Sequence, residues 1–516
     1  MNPAAERDGL ARLPSPSPRR AVRPGTYRSR GLTAALAAGA VALAGCTSGT
    51  VADTRSGSEE GPLDAALQFT AVEPDALTGL AEETLPDDYA VPVEAEYPVI
   101  PNADALNERL AEALDQRIGT FTAVTPSAKG FESDWEIAAA ADGIVGVRLA
   151  WTEQDAKGEH TGYETHWYDA GTGRAAYSTE LLAGQEQLEA LNELVLAQLE
   201  GEEVADGALQ PVLGLYDSMA FNDDGDLVVE FDAGQLAPKN EERVAAVIES
   251  ADAAPLLSDL GTRAQEASQE ATEGFTLDEA VEGGGEGLPV PGRMEDWTEG
   301  VDCTQADTKC VALTFDDGPG ARTPDLLDTL AEYDAPATFF QTGRTIDKYP
   351  ETVRRAYAEG HEIGNHTINH PDLTTLDEAG VRDELAPVNE RIRRETGSVP
   401  VLMRPPYGAT DDTVAEVSAD LGLAQILWNV DTEDWKDRDA EIVAERAIEG
   451  AEPGAIILMH DIHGTTVDAV PAILEELTDQ GYTFATVSQM LGETEPGESY
   501  YSRGRPTLPP ESGPDA

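Results

Sequence analysis

Five groups of residues between positions 311 and 463 have the side chains that metal-assisted hydrolysis needs. They are Asp316-Asp317, His366-x-x-x-His370, Arg404-Pro405-Pro406-Tyr407, Asp434-Trp435 and Leu458-Met459-His460, each close after a short apolar run. Consecutive side chains at a strand end point in opposite directions, so the two aspartates can serve two tasks, one binding a metal and one facing an attacking water. His366 and His370 would reach one cation if the backbone between them made a helical turn. His361, His366, His370, His460 and His463 share this stretch, whereas His160 and His166 stand outside it without ligand partners at motif spacing.

The runs that must position these groups, at 311–315, 337–341, 361–364, 401–403, 424–430, 455–459 and 483–485, read as strands. Helical patterns at 324–333, 377–395 and 440–449 separate them. Such alternation over 301–491 predicts an α/β fold, a distorted (β/α)7-type barrel with its chemistry at the C-terminal strand ends. Residues 63–272 mix helical patterns at 103–118 and 188–199 with strand patterns at 143–151 and 226–231, which predicts a smaller α+β accessory domain. The Asn222-Asp223-Asp224-Gly225 stretch reads as a hairpin turn in preference to a calcium loop. Residues 273–300, with a glycine run at 283–287, suit a linker that leaves the domains free to move, and 492–516 suit a disordered tail.

Residues 1–46 carry seven arginines, all ahead of a short Ala-rich apolar run at 31–45, which reads as a secretion signal. Arg19-Arg20 leaves Sec and twin-arginine export both open. The run ends in Leu43-Ala44-Gly45-Cys46, which resembles the lipobox of bacterial lipoproteins, so Cys46 is expected to carry lipid and residues 47–62 to form a flexible tether. The expected location is the outer face of the cell membrane. Cys303 and Cys310 then remain as an even pair in an oxidising compartment and are expected to form a disulfide. With 34 basic and 98 acidic residues the net charge is −64, a surface that repels phosphate backbones and excludes nucleic-acid binding.

From 309 to 490 the sequence resembles the NodB-homology polysaccharide deacetylases, carbohydrate esterase family 4. Thr314-Phe315-Asp316-Asp317-Gly318-Pro319, His366-Thr367-Ile368-Asn369-His370, Arg404-Pro405-Pro406-Tyr407-Gly408, Asp434-Trp435 and Leu458-Met459-His460 match its five motifs in order. The resemblance implies that Asp317, His366 and His370 bind one divalent metal, with zinc expected and cobalt, nickel or manganese as substitutes. It implies Asp316 as general base paired with Arg404, His460 as general acid oriented by Asp434, the Tyr407 N–H as oxyanion donor, and Trp435 and Leu458 as walls of an acetyl pocket. Segments at 97–101, 166–173 and 221–229 resemble a domain found before the deacetylase in some bacillary peptidoglycan deacetylases and in lysozyme-sensing anti-sigma factors.

The expected function is therefore N-deacetylation of an amino-sugar polymer, with peptidoglycan favoured by the lipid tether. Chitin deacetylation, removal of O-acetyl groups from xylan, and a wall-binding or lysozyme-sensing lipoprotein are the alternatives. Two histidines and a carboxylate also serve iron oxygenases, which have no need of Asp316 with Arg404 or of a separate acid such as His460. The accessory domain is expected to meet glycan or a wall protein.

Overall fold

The computed structural model describes residues 68–86, 89–202, 204–236, 243–270, 273–277, 289–293 and 301–503. The signal segment with Cys46, the tether, most of the linker and residues 504–516 lie outside them. Among the described residues no helix is long and apolar enough to cross a membrane.

The accessory region is built on a long meander. Strands Gly130–Ala141, Ile144–Gln154, Glu159–Asp169 and Arg174–Tyr177 pair antiparallel in sequence order, and Val93–Glu94 lies parallel to the first. Asp142 and Gly143 join the first two strands with φ of 46° and 79°, the two left-handed residues a tight hairpin requires. Helix α1 (Asp104–Val124) buries Leu106, Leu110, Leu114, Ile118 and Phe121, one face at helical spacing, in the core formed with this sheet. A second sheet contains Ser218–Phe221 and Leu227–Phe231, joined by the expected hairpin at Asn222–Gly225, where the Gly225 N–H donates to Asn222 O at 2.9 Å.

The second region has nine strands: β1 (Cys310–Asp316), β2 (Thr338–Gln341), β3 (Glu362–Asn365), β4 (Leu402–Met403), β5 (Ala424–Ile426), β6 (Val430–Asp431), β7 (Ala455–His460), β8 (Thr483–Phe484) and β9 (Ser499–Tyr500). They run parallel in the order β6-β7-β1-β2-β3-β4-β5-β9, with β8 also against β1. This is the curled α/β sheet of the expected barrel; β6 and β9 do not pair with each other, and just past β9 Ser502 bridges to Ala455 of β7. Residues on β1 alternate: Leu313 and Phe315 pack in the outer core with the helices, while Ala312 joins Phe340, Leu402, Ile426 and Ile456 in the inner one. Thr314 and Asp316 follow Ala312 on the inner face.

Three expectations need correcting. The strand expected over 424–430 is two, because Arg404 takes the carbonyls of Ile426 and Leu427 as hydrogen-bond acceptors, at 3.0 and 3.2 Å, where the run breaks. The tail expected from position 492 is ordered to Arg503: β9 pairs with β5, and Arg503 donates to the carbonyls of Cys303 and Thr308. The two regions also pack directly on each other. Thr120 of α1 donates to Glu390 of helix α2 (Glu378–Thr396) at 2.6 Å, and Arg393 of α2 donates to Gln116 O at 3.2 Å. Buried Arg354 donates to Ala208 O at 3.1 Å while paired with Glu395 at 2.6 Å. Gly214 and Gly397 approach so closely that a Cβ on either would meet the other's backbone nitrogen at 2.7 Å. These contacts leave no room for the expected independent motion.

Cys303 and Cys310 are bonded, as expected, with Cα atoms 5.6 Å apart.

Candidate active site

Asp316 ends β1 on the inner face, 3% exposed. Arg404, fully buried beyond β4, donates through Nη1 to Asp316 Oδ1 at 2.7 Å and to Thr314 Oγ1 at 2.8 Å, with its guanidinium 4.3 Å from the Phe340 ring centroid. Burial pushes the Asp316 carboxyl above its ordinary range, and the opposing pull of Arg404 and His460 does not cancel it. Arg404, the partner expected for Asp316, offsets only part of the desolvation.

Asp317, His366 and His370 come together, their ligand atoms all within 4.8 Å of one another. Each histidine Nε2 is 3.6 Å from Asp317 Oδ1. Ligand bonds of about 2.0–2.2 Å span at most about 4.4 Å across a metal, so both separations fit a shared ion. His366 Nδ1 contacts Arg404 O at 2.7 Å, which directs Nε2 toward the cluster. Burial holds His366 well below its ordinary pKa, leaving a neutral imidazole with a free lone pair.

The segment between the two histidines is not the helical turn expected from their spacing. Thr367 and His370 have φ of 66° and 58°, and Asp317 and Tyr407 are also left-handed at 70° and 60°. Hydrogen bonds hold this strained loop. Thr367 N donates to Asn365 Oδ1 at 2.8 Å and His370 N to Thr367 Oγ1 at 3.0 Å. Glu384 of α2 accepts from Ile368 N and Asn369 N at 3.1 and 2.8 Å. On the other side Gly318 is required by close approach, since a Cβ there would meet Asp461 Oδ1 at 2.2 Å.

Asp434 is fully buried and accepts three hydrogen bonds: from His460 Nδ1 at 2.7 Å, His460 N at 2.7 Å and Thr466 Oγ1 at 2.6 Å. Burial alone would raise its pKa, but these donors bring it below the ordinary value. For His460, burial favours the neutral ring; Asp434 outweighs this and raises the pKa to about 9. His460 is therefore a proton donor at neutral pH. It lies directly opposite Asp316 across the β1–β7 pairing.

Tyr407 is 70% exposed, and its N–H donates to no acceptor among the described residues; its ring stands edge-on to His370 at 4.7 Å. Leu458 is buried on β7, and Trp435 is 42% exposed in the short helix that Asp434 begins. His463 lies with its ring 5.8 Å from His460. His361 is elsewhere, at the start of β3, where its Nδ1 accepts from Ala337 N at 3.1 Å. His166 is buried in the accessory sheet, 3.2 Å from Glu164, and no second group of metal-ligating side chains occurs among the described residues. Thr466, Glu384 and Asp461 were missed from sequence. Ordinary helix and loop patterns surround them, and only the fold brings them to the motifs.

The family described as polysaccharide deacetylase matches residues 304–426. A peptidoglycan-N-acetylglucosamine deacetylase of Listeria monocytogenes is 43% identical over 197 residues, 38% of this chain and 42% of that protein. A peptidoglycan-N-acetylmuramic acid deacetylase of Bacillus subtilis is 44% identical over 186 residues, 35% of this chain and 38% of that one. The chain thus spans about two fifths of the length of these relatives. A chitooligosaccharide deacetylase of Sinorhizobium fredii is 36% identical over 194 residues and is covered over 90% of its length. With five ordered motifs converging on one end of a curled parallel sheet, the chain belongs to the polysaccharide deacetylase family.

Proposed function

We propose that the chain is a lipid-anchored, extracellular, metal-dependent N-deacetylase of amino-sugar polymers and that its substrate is peptidoglycan. The observation that carries this reading is the pairing of opposite devices beside one three-ligand cluster: a carboxylate braced by a cation, Asp316 with Arg404, and an imidazolium braced by an anion, His460 with Asp434. Hydrolysis of an acetamide needs a base for water, a donor for the oxyanion and an acid for the amine.

Asp317, His366 and His370 would hold the divalent ion, with zinc suiting the N/O ligand set. Such an ion, when bound, polarises the acetyl carbonyl and lowers the pKa of water. Asp316 takes the proton of the attacking water, and Arg404 fixes the carboxylate's direction. His460 delivers its proton to the departing nitrogen, and Asp434 with Thr466 holds that ring in place. The Tyr407 N–H receives the oxyanion, while Trp435 and Leu458 flank the acetyl methyl. The peptidoglycan deacetylases among the relatives support the substrate, and Cys46 at the end of the apolar signal supports the anchor.

Mass spectrometry of muropeptides from peptidoglycan treated with the purified protein tests the proposal. Loss of one acetyl group from glucosamine or muramic acid is expected. Unchanged muropeptides alongside acetate release from xylan would replace it with the esterase reading.

A further inference from the structure

Among the described residues, two arginines of this acidic chain meet at one tyrosine without a partner carboxylate. Arg109 of α1 lies with its guanidinium 4.3 Å from the Tyr177 ring centroid, and Arg293 lies 4.7 Å from the same centroid, its Nη2 donating to Tyr177 Oη at 3.0 Å. Arg109 Nη1 and Arg293 Nε are buried and have no hydrogen-bond acceptor. No described carboxylate lies within 4.0 Å of either guanidinium, although acidic residues outnumber basic ones 98 to 34. Arg109 lines a cavity of about 290 Å³ between α1 and the Arg174–Tyr177 strand, together with Ala105, Glu108, Glu112, Arg174 and Ala175. Arg174 is already committed to Glu180 at 2.6 Å.

We infer that this pocket in the accessory region binds a carboxylate group, with Arg109 as its anchor. Arg293 and Tyr177 stand behind the cavity wall and Arg109 forms part of it, so an anion in the cavity beside Arg109 offsets the repulsion between the two cations that share the Tyr177 ring. The guanidinium fork matches a carboxylate, with two parallel N–H···O bonds. Glu108 and Glu112 in the wall oppose a dianion more strongly than a monoanion, which favours a carboxylate over a phosphate. The volume is at the lower edge of ligand pockets, roughly 300 Å³, and so suits one acidic residue of a peptide better than a polymer segment. Resting on the proposed function, the ligand class is the acidic peptide arm of the wall polymer, held here while the glycan reaches the strand ends.

Isothermal titration of the full chain with alanyl-glutamate, its fully amidated counterpart and glycerol phosphate tests this without catalysis. Saturable binding of alanyl-glutamate is expected, weakened at least about tenfold by amidation and by Arg109→Gln, the loss of one charged hydrogen-bonding pair. Arg109→Lys, which keeps the charge but not the fork, should fall between. Acetate release from soluble chito-oligomers should be unchanged in Arg109→Gln. Equal affinity for the amidated peptide, equal affinity in a folded Arg109→Gln, or tighter binding of glycerol phosphate would overturn the assignment. If Arg109→Gln does not fold, the wild-type preference between acid and amide decides alone. A protein that binds alanyl-glutamate but releases no acetate would contradict the proposed function and leave this inference standing.

Discussion

Replacing Asp434 by Asn should turn a nearly pH-independent acid into a pH-limited one. Asp434 raises the His460 pKa to about 9 against burial, which acts in the opposite direction. Removing the charge while keeping the side chain's shape should return the ring toward its ordinary 6.5, with Asp316 and Asp317 still opposing the burial. The acid is needed protonated, so activity supported by His460 is complete below its pKa and lost as pH rises through it. At pH 8 a group with pKa 9 is about 90% protonated and one with pKa 6.5 about 3%; at pH 6 the fractions are about 100% and 76%. The wild-type to Asp434→Asn ratio of kcat should therefore grow from a baseline near 1.3 at pH 6 to about 30 at pH 8, multiplied by whatever constant factor the altered orientation of the ring adds. The assay is acetate release from a soluble chito-oligomer at saturating substrate, both proteins loaded with the same metal. Because Asp316 and the metal ligands are common to both, their titration cancels in the ratio. A loss of equal size at pH 6 and pH 8 would refute the argument that Asp434 acts through the charge of His460.

His366→Ala should abolish stoichiometric metal binding by elemental analysis, whereas Asp316→Asn should retain the metal and lose about 10² to 10⁴ in kcat; metal lost from Asp316→Asn but kept by Asp317→Asn would exchange the roles of the two aspartates. His361, with its pKa lowered by burial to about 3 and its Nδ1 accepting from Ala337 N, must gain a proton on unfolding below pH 6.5. Its contribution to stability is present above pH 6.5 and is lost toward pH 3 at about 1.4 kcal/mol per pH unit, a slope that urea titrations should find missing in His361→Gln. Reducing the Cys303–Cys310 bond opens a loop of sequence separation 7 and should lower stability by about 2.5 kcal/mol, with free-thiol labelling of the unreduced, unfolded mature protein giving no signal at either position. Arg354→Ala removes the donor to Ala208 O and leaves Glu395 with one partner, so the thermal midpoint should fall by several degrees; an unchanged midpoint would favour the independent domains expected from the glycine run.

The motif residues could be read from the sequence because strand ends are marked twice, by an apolar run and by the polar group that follows it. Thr314 and Asp316 on one face, with Phe315 on the other, follow from alternation alone. The loop from His366 to His370 was misread because spacing reports distance along the chain and not φ. Its left-handed residues are held by Asn365 and Glu384, and Glu384 is a residue of α2, distant in sequence. The break after Ile426 was hidden for a related reason: an apolar run shows no sign that a buried arginine takes its carbonyls. Thr466 lies in an unremarkable helical pattern, and β9 lies in a segment whose proline and charge content suggested disorder. The packing of Gly214 against Gly397 joins residues far apart in sequence, and nothing local records it.

The most direct test of the central claim is to count acetate and free amine together during treatment of purified peptidoglycan, with and without a metal chelator. The account predicts equal amounts of acetate and new hexosamine amine, both abolished by the chelator and restored by zinc. Acetate without new amine, or release that the chelator leaves untouched, would contradict it.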